Sequence, residues 1–203
     1  MTKEKLSKLS VMFFSMGVGI LLYILVHEVG HLIVMLSAGA KITDFSILTA
    51  HVSSTGGNYS YGAALWLHAN GAVLPLFICF WAMLFYKRSN TGCFYRLFHF
   101  MLALMPIGSS LAWIAIPFLY SDGKAPPADD VTKFLNLWTN RGHSPYTVAA
   151  AAVAVFAGGI FIAFQVGIIR GYFDELRQLR AGGAEKRAGR VSAGRRARGD
   201  RKV

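Results

Sequence analysis

The chain has 203 residues, 54% hydrophobic and only 15% charged, with a formal net charge of +11. That is too apolar for an ordinary water-soluble domain of this length. The apolar residues are also gathered into long blocks, which excludes an extended, charge-solvated chain.

Four blocks are each long enough to cross about 30 Å of hydrocarbon, which takes about 20 helical residues. They cover residues 11–36, 63–86, 94–120 and 146–169. Pro75, Pro106 and Pro117 fall inside the second and third, where a membrane helix bends rather than breaks. The expected fold is an all-α integral membrane domain of about four spanning helices, residues 1–170, followed by a basic, disordered cytoplasmic tail, 171–203. The first block follows Lys3, Lys5 and Lys8, as a signal peptide would. Its core is too long, and it lacks a convincing small-x-small cleavage site, so it reads as a retained span.

The first span contains "ILVHEVGHLIVML", residues 24–36, with three ionisable side chains on neighbouring turns. Each such group at bilayer depth costs about 2.5–3.5 kcal/mol on insertion scales, so they are rare and usually functional. Residues four apart share a helix face, so His27 and His31 can ligate one zinc ion. Glu28, beside the first ligand, can take a proton from a water at the open position. Gly30 keeps one side of the turn slim.

After this span, "KITDFSILTAHVSS" with a turn at "GGN" (56–58) reads as a short β-hairpin or edge strand. An edge strand can hold an extended peptide by adding it to the sheet. His51 lies there and can assist. In the second span, His68 and Asn70 are polar at depth and should face the bundle, either lining a metal cavity or bonding to a neighbouring helix. Cys79 and Cys93 have no metal-knuckle spacing, and no disulfide framework is expected. In the fourth span, Ala149–Ala152, Ala154 and 157–159 are small and permit close helix packing.

A catalytic zinc site needs a third protein ligand. The candidates are His51, His68, His99, His143, Asp122, Asp129 and Asp130. "APPADDVTKFL" reads as a helix start, with prolines, then acids, then an apolar stripe of Val131, Phe134, Leu135 and Trp138. Asp130 is preferred because a helix gives a rigid platform. Asp129 and Asp122 remain alternatives, and N-capping is a sufficient reason for either Asp129 or Asp130.

Positive charge favours the cytoplasmic side. Lys3, Lys5 and Lys8, the group Lys87, Arg88 and Arg96, and the basic C-terminus place both termini and the 87–96 connection there. Segments 39–61 and 121–145 then face outward. From Arg170 onward there are eleven Lys/Arg against four acids. Such a tail can bind anionic lipid headgroups. It has no aromatic residue after Phe173, which argues against nucleic acid.

"HEVGH" (27–31) in an early span, followed at once by "LSAGAKITDFSI" (36–47), resembles the site-2 protease class of polytopic membrane zinc metalloproteases. The resemblance covers roughly residues 15–140. It implies short β-strands dipping back toward the membrane after a Gly-rich turn. It also implies a Gly/Pro/Asn helix against the metal helix, matched by "HANGAVLPLF" (68–77), with Asn70 polarising a substrate carbonyl. The family order of Gly, Pro and Asn is not kept there. The family's metal-binding aspartate, often in an Asn-x-x-Pro…Asp-Gly setting, finds only a loose counterpart in "LMPIGSS" (104–110) and the later acids. The implied function is a Zn²⁺-dependent intramembrane endopeptidase acting on a membrane-spanning or membrane-adjacent polypeptide, with Glu28 and Asn70 catalytic and His27, His31 and Asp130 or Asp129 on the metal. The alternatives are a non-catalytic metal-binding scaffold or partner subunit and, against the absence of an internal repeat of the spans, a metal transporter.

Overall fold

The computed structural model describes residues 3–90 and 92–178. Its elements are α1 (Lys3–Ser37), β1 (Lys41–Ser46), β2 (His51–Thr55), α2 (Tyr61–Leu84), α3 (Cys93–Ser121), α4 (Asp130–Thr139) and α5 (Pro145–Val166), then a further helix α6 over residues 168–178. Helices α1, α2, α3 and α5 are long and apolar enough to cross a membrane. The expected all-α membrane fold with a small sheet after the first helix is what the chain adopts.

The helix starts follow local chemistry. The Ser60 hydroxyl accepts from Ala63 N at 3.2 Å and caps α2. Ser144 caps α5, with Pro145 in its first turn. Gly167 takes the left-handed conformation, φ 94°, that ends α5. The chain then re-enters a helix at once, so residues 168–178 pack onto the bundle. Tyr172 stacks on Phe100 with ring centroids 3.8 Å apart, and Glu175 is buried. The packed part therefore extends past the expected boundary at 170; the rest of the expected tail lies outside the described residues.

The small residues of α5 do what their size permits. Ala149, Ala152 and Ala163 are buried, and a Cβ on Gly159 would come within 2.9 Å of Ile107, so α5 lies tightly on α3. Cys79, Met83, Ala103, Ile107 and Ile168 belong to the core cluster where α2, α3, α5 and α6 meet. A second cluster, Ile116, Val131 and Leu135 with Trp113 and Tyr120, seats α4 on α3.

The hairpin is present, but its turn differs from the one expected. β1 and β2 pair antiparallel, Lys41 with Thr55 and Ser46 with His51, and the chain reverses at residues 47–50. Ala50 takes φ 48°, a conformation the sequence advertises with neither Gly nor Asn. The glycines of "GGN", Gly56 and Gly57, also have positive φ. They turn the chain after β2, from the sheet into α2.

Candidate metal centre

α1 and α2 approach closely because of two glycines. A Cβ on Gly30 would overlap the Asn70 carbonyl oxygen, and one on Gly71 would overlap His31 Nε2 and lie 2.8 Å from His27 Cε1. The α1 rings therefore stand directly against the bare backbone of α2. His27 is ten residues before Ser37, so it lies about 15 Å from that end of α1.

α4 completes the group. Its seat on α2 and α3 carries Asp130 to the two rings. Asp130 Oδ2 is 3.1 Å from His31 Nε2 and 3.6 Å from His27 Nε2. The two Nε2 atoms are 3.1 Å apart. His27, His31 and Asp130 can hold a metal ion. A tetrahedral ion with bonds of about 2.0–2.1 Å spaces its ligand atoms about 3.3 Å apart, and the three observed separations bracket that value.

The proton inventory points the same way. His31 Nδ1 donates to the Leu67 carbonyl at 2.7 Å. In the neutral ring this leaves Nε2 as a lone pair aimed at a carboxylate oxygen and at a second imidazole nitrogen. Such a convergence of acceptors is favourable only with positive charge among them, on a metal or on a ring proton. Burial pushes the Asp130 carboxyl up, but the imidazoles of His27, His31 and His68 around it outweigh that and hold it well below the usual carboxylate range. His68 Nδ1 stands 3.4 Å from Asp130 Oδ1, and Lys133 Nζ 3.8 Å from the same oxygen.

These groups line a cavity of about 380 Å³. Glu28 is 4% exposed and lines it. Ala50, His51 and Val52, at the start of β2, line it as well. Tyr23 and Lys133, which the sequence reading did not single out, line it too. The helical spacing held the clue: Tyr23, His27, His31 and Met35 form one i, i+4 stripe of α1, and all four face the cavity. Lys133 is one turn after Asp130.

Other candidates lie elsewhere. Asp129 is the N-cap of α4, and its Oδ1 accepts from Val131 N at 2.8 Å. It is absent from the group that could hold a metal ion, so of the alternative third ligands the fold brings Asp130 to the two histidines and leaves Asp129 as the helix cap. Asn70 is buried with its Nδ2 donating to the Gly30 carbonyl at 2.7 Å and is not among the cavity-lining residues. Of the two roles open to it, it takes the interhelical bond, while His68 takes the cavity. Asp122 ends α3, largely exposed, 3.8 Å from Lys124. His99 is held by the Tyr95 carbonyl, 2.9 Å away, near the opposite end of the bundle. His143 is exposed against Trp138. His51 lines the cavity, with Nε2 2.7 Å from Ser53 Oγ.

Comparison with protein-family models, with curated proteins and with solved structures returns no match.

Proposed function

We propose that the protein is a zinc-dependent intramembrane endopeptidase. The observation that carries this reading is the spacing of His27, His31 and Asp130, with Glu28 on the same cavity. Two imidazoles and one carboxylate are a common catalytic zinc donor set, and three protein ligands leave a position for chemistry. Bound there, zinc would polarise a substrate carbonyl and acidify a water. The chain's own residues supply the rest. Glu28 takes the proton from the attacking water and delivers it to the departing amine. His68 and Lys133 hold Asp130 through its second oxygen, and the Leu67 carbonyl fixes the His31 ring. The Asn70 side chain is engaged with Gly30, so the proposal gives it a positioning role, not contact with the oxyanion.

The substrate is a polypeptide in or beside the bilayer. The start of β2 lines the cavity, and a strand edge is a template for an extended segment. A helical substrate unwinds locally to use it. The charge pattern favours cytoplasmic termini, and in that orientation the cavity opens outward.

The test is zinc per purified chain together with cleavage of a membrane substrate. Wild type should hold about one zinc. His31→Ala and Asp130→Ala should lose it. Glu28→Gln should keep zinc and lose cleavage. Zinc retained by Asp130→Ala overturns the ligand set, and cleavage retained by Glu28→Gln overturns the protease. A scaffold would keep its function in Glu28→Gln, which separates that reading.

A further inference from the structure

The opposite end of the bundle holds a second cavity, of about 200 Å³, walled by Tyr86, Arg88, Arg96 and Arg170 over Gly167 and Gly171. Its charges do not cancel. Arg96 is committed to Glu175, with Nη1 donating at 3.2 Å and the carboxylate 4% exposed. Asp174, also on the wall, lies 3.6 Å from Arg177. Among the described residues, Arg88 and Arg170 make no ion pair.

Both are nonetheless held in place. Arg88 Nε donates to the Val166 carbonyl at 2.6 Å, which leaves its two terminal amino groups. The Arg170 guanidinium lies over the Phe164 ring, 4.4 Å from its centroid, which leaves its N–H edge. The floor is built for close approach. A Cβ on Gly167 would lie 2.8 Å from Arg88 Nε, and one on Gly171 would lie 2.7 Å from Tyr86 Oη. Two planar guanidinium forks over a bare helix face suit a tetrahedral oxyanion.

The level of the pocket narrows the choice. Arg88 is four residues past the end of α2 and Arg170 four past the end of α5. Both therefore sit where the apolar windows stop and the headgroups of a bilayer begin. Phe85, Phe164 and Phe173 beside them are exposed, as side chains facing acyl chains would be. We propose that this pocket binds the phosphate of an anionic phospholipid, gripped by Arg88 and Arg170. The chemistry required is one phosphate group, and the flanking phenylalanines favour a lipid as its source over free phosphate. The site is distinct from the basic segment beyond residue 178, which stays constant in the test below.

The full-length chain in mild detergent is titrated with short-chain phosphatidylglycerol, with the matching phosphatidylcholine, and with inorganic phosphate. Retained lipid is counted by native mass spectrometry, and stability is read by thermal shift. Wild type should retain one phosphatidylglycerol in preference to phosphatidylcholine. Arg170→Gln and Arg88→Gln should each bind it about tenfold or more weakly, the size of losing a charge-assisted pair. Arg170 is exposed and outside any described ion pair, so Arg170→Gln should keep wild-type helicity and elution volume, which separates lost binding from lost folding. A thermal shift with inorganic phosphate alone, abolished by Arg170→Gln, would sustain the site and name soluble phosphate as its source. Equal phosphatidylglycerol retention by wild type and both variants, with no phosphate effect, overturns the proposal and leaves the lipid to the tail.

Discussion

Gly71→Ala is the smallest change that should dismantle the metal centre without touching a ligand. The added methyl carbon would overlap His31 Nε2 and stand 2.8 Å from His27 Cε1. An ordinary carbon–carbon separation is about 3.5–4.0 Å, so the rings and the α2 backbone must part by about 1 Å. The backbone cannot give way freely, because Gly30 on α1 already lies against the Asn70 carbonyl in the same crossing. Metal sites tolerate errors of about 0.2 Å in ligand distance, so the displacement should lower zinc affinity by about 100-fold or more. The overpacking itself should cost about 1–3 kcal/mol. The assay is competition with a chromophoric zinc chelator in detergent, alongside a thermal melt. Gly108→Ala is the control, since nothing lies within 4 Å of a Cβ there. Wild-type zinc affinity in a folded Gly71→Ala protein would refute the claim that bare α2 backbone sets the positions of the two rings.

Asp129→Ala should keep its zinc and lose about 1 kcal/mol of stability with the α4 cap, while Asp130→Asn should lose zinc; elemental analysis and melting curves separate the two. Glu28→Gln should bind zinc as wild type does and cleave a membrane substrate at least about 100-fold more slowly, in a single-turnover gel assay. Asn70→Ala should remove the interhelical bond to the Gly30 carbonyl and lower stability by about 1–2 kcal/mol, with zinc stoichiometry unchanged. A loss of catalytic rate per bound zinc in that variant, at wild-type stability, would return Asn70 to the reaction.

The spans and the HExxH face were legible because their signals are local. Apolar blocks are counted along the chain, and a four-residue spacing fixes a helix face. The adjacent acids are a harder case. Asp129 is extended, φ −71° and ψ 142°, and its side chain bonds Val131 N, while Asp130 is the first helical residue. Choosing between them requires the helix start to a single residue, a precision that sequence patterns do not reach. The separation of His68 and Asn70 was in principle readable. Two residues apart on a helix is about 200° of rotation, so one of them faces the cavity and the other turns away from it. The hairpin turn was misplaced because Gly56 and Gly57 carry the stronger turn signal, yet the reversal falls on Ala50, whose φ of 48° is set by the strands it joins.

The proposed third ligand shows why the centre had to be assembled from distant parts. α4 rests on α3 through Val131 and Leu135, which are 3% and 0% exposed, and the Asp130 carboxylate lies beside both α1 rings. Its position is therefore determined by apolar packing of α4 on α3, not by the helix that carries HExxH. A metal ion in that place would bond α4 directly to α1, across the cavity. Zinc removal by a chelator should then loosen α4 while leaving the α3–α5 interface intact. Amide exchange should rise in residues 130–139 and stay unchanged in 149–163. Uniform loosening of both segments would mean that the ion supports the whole bundle, not the α1–α4 contact alone.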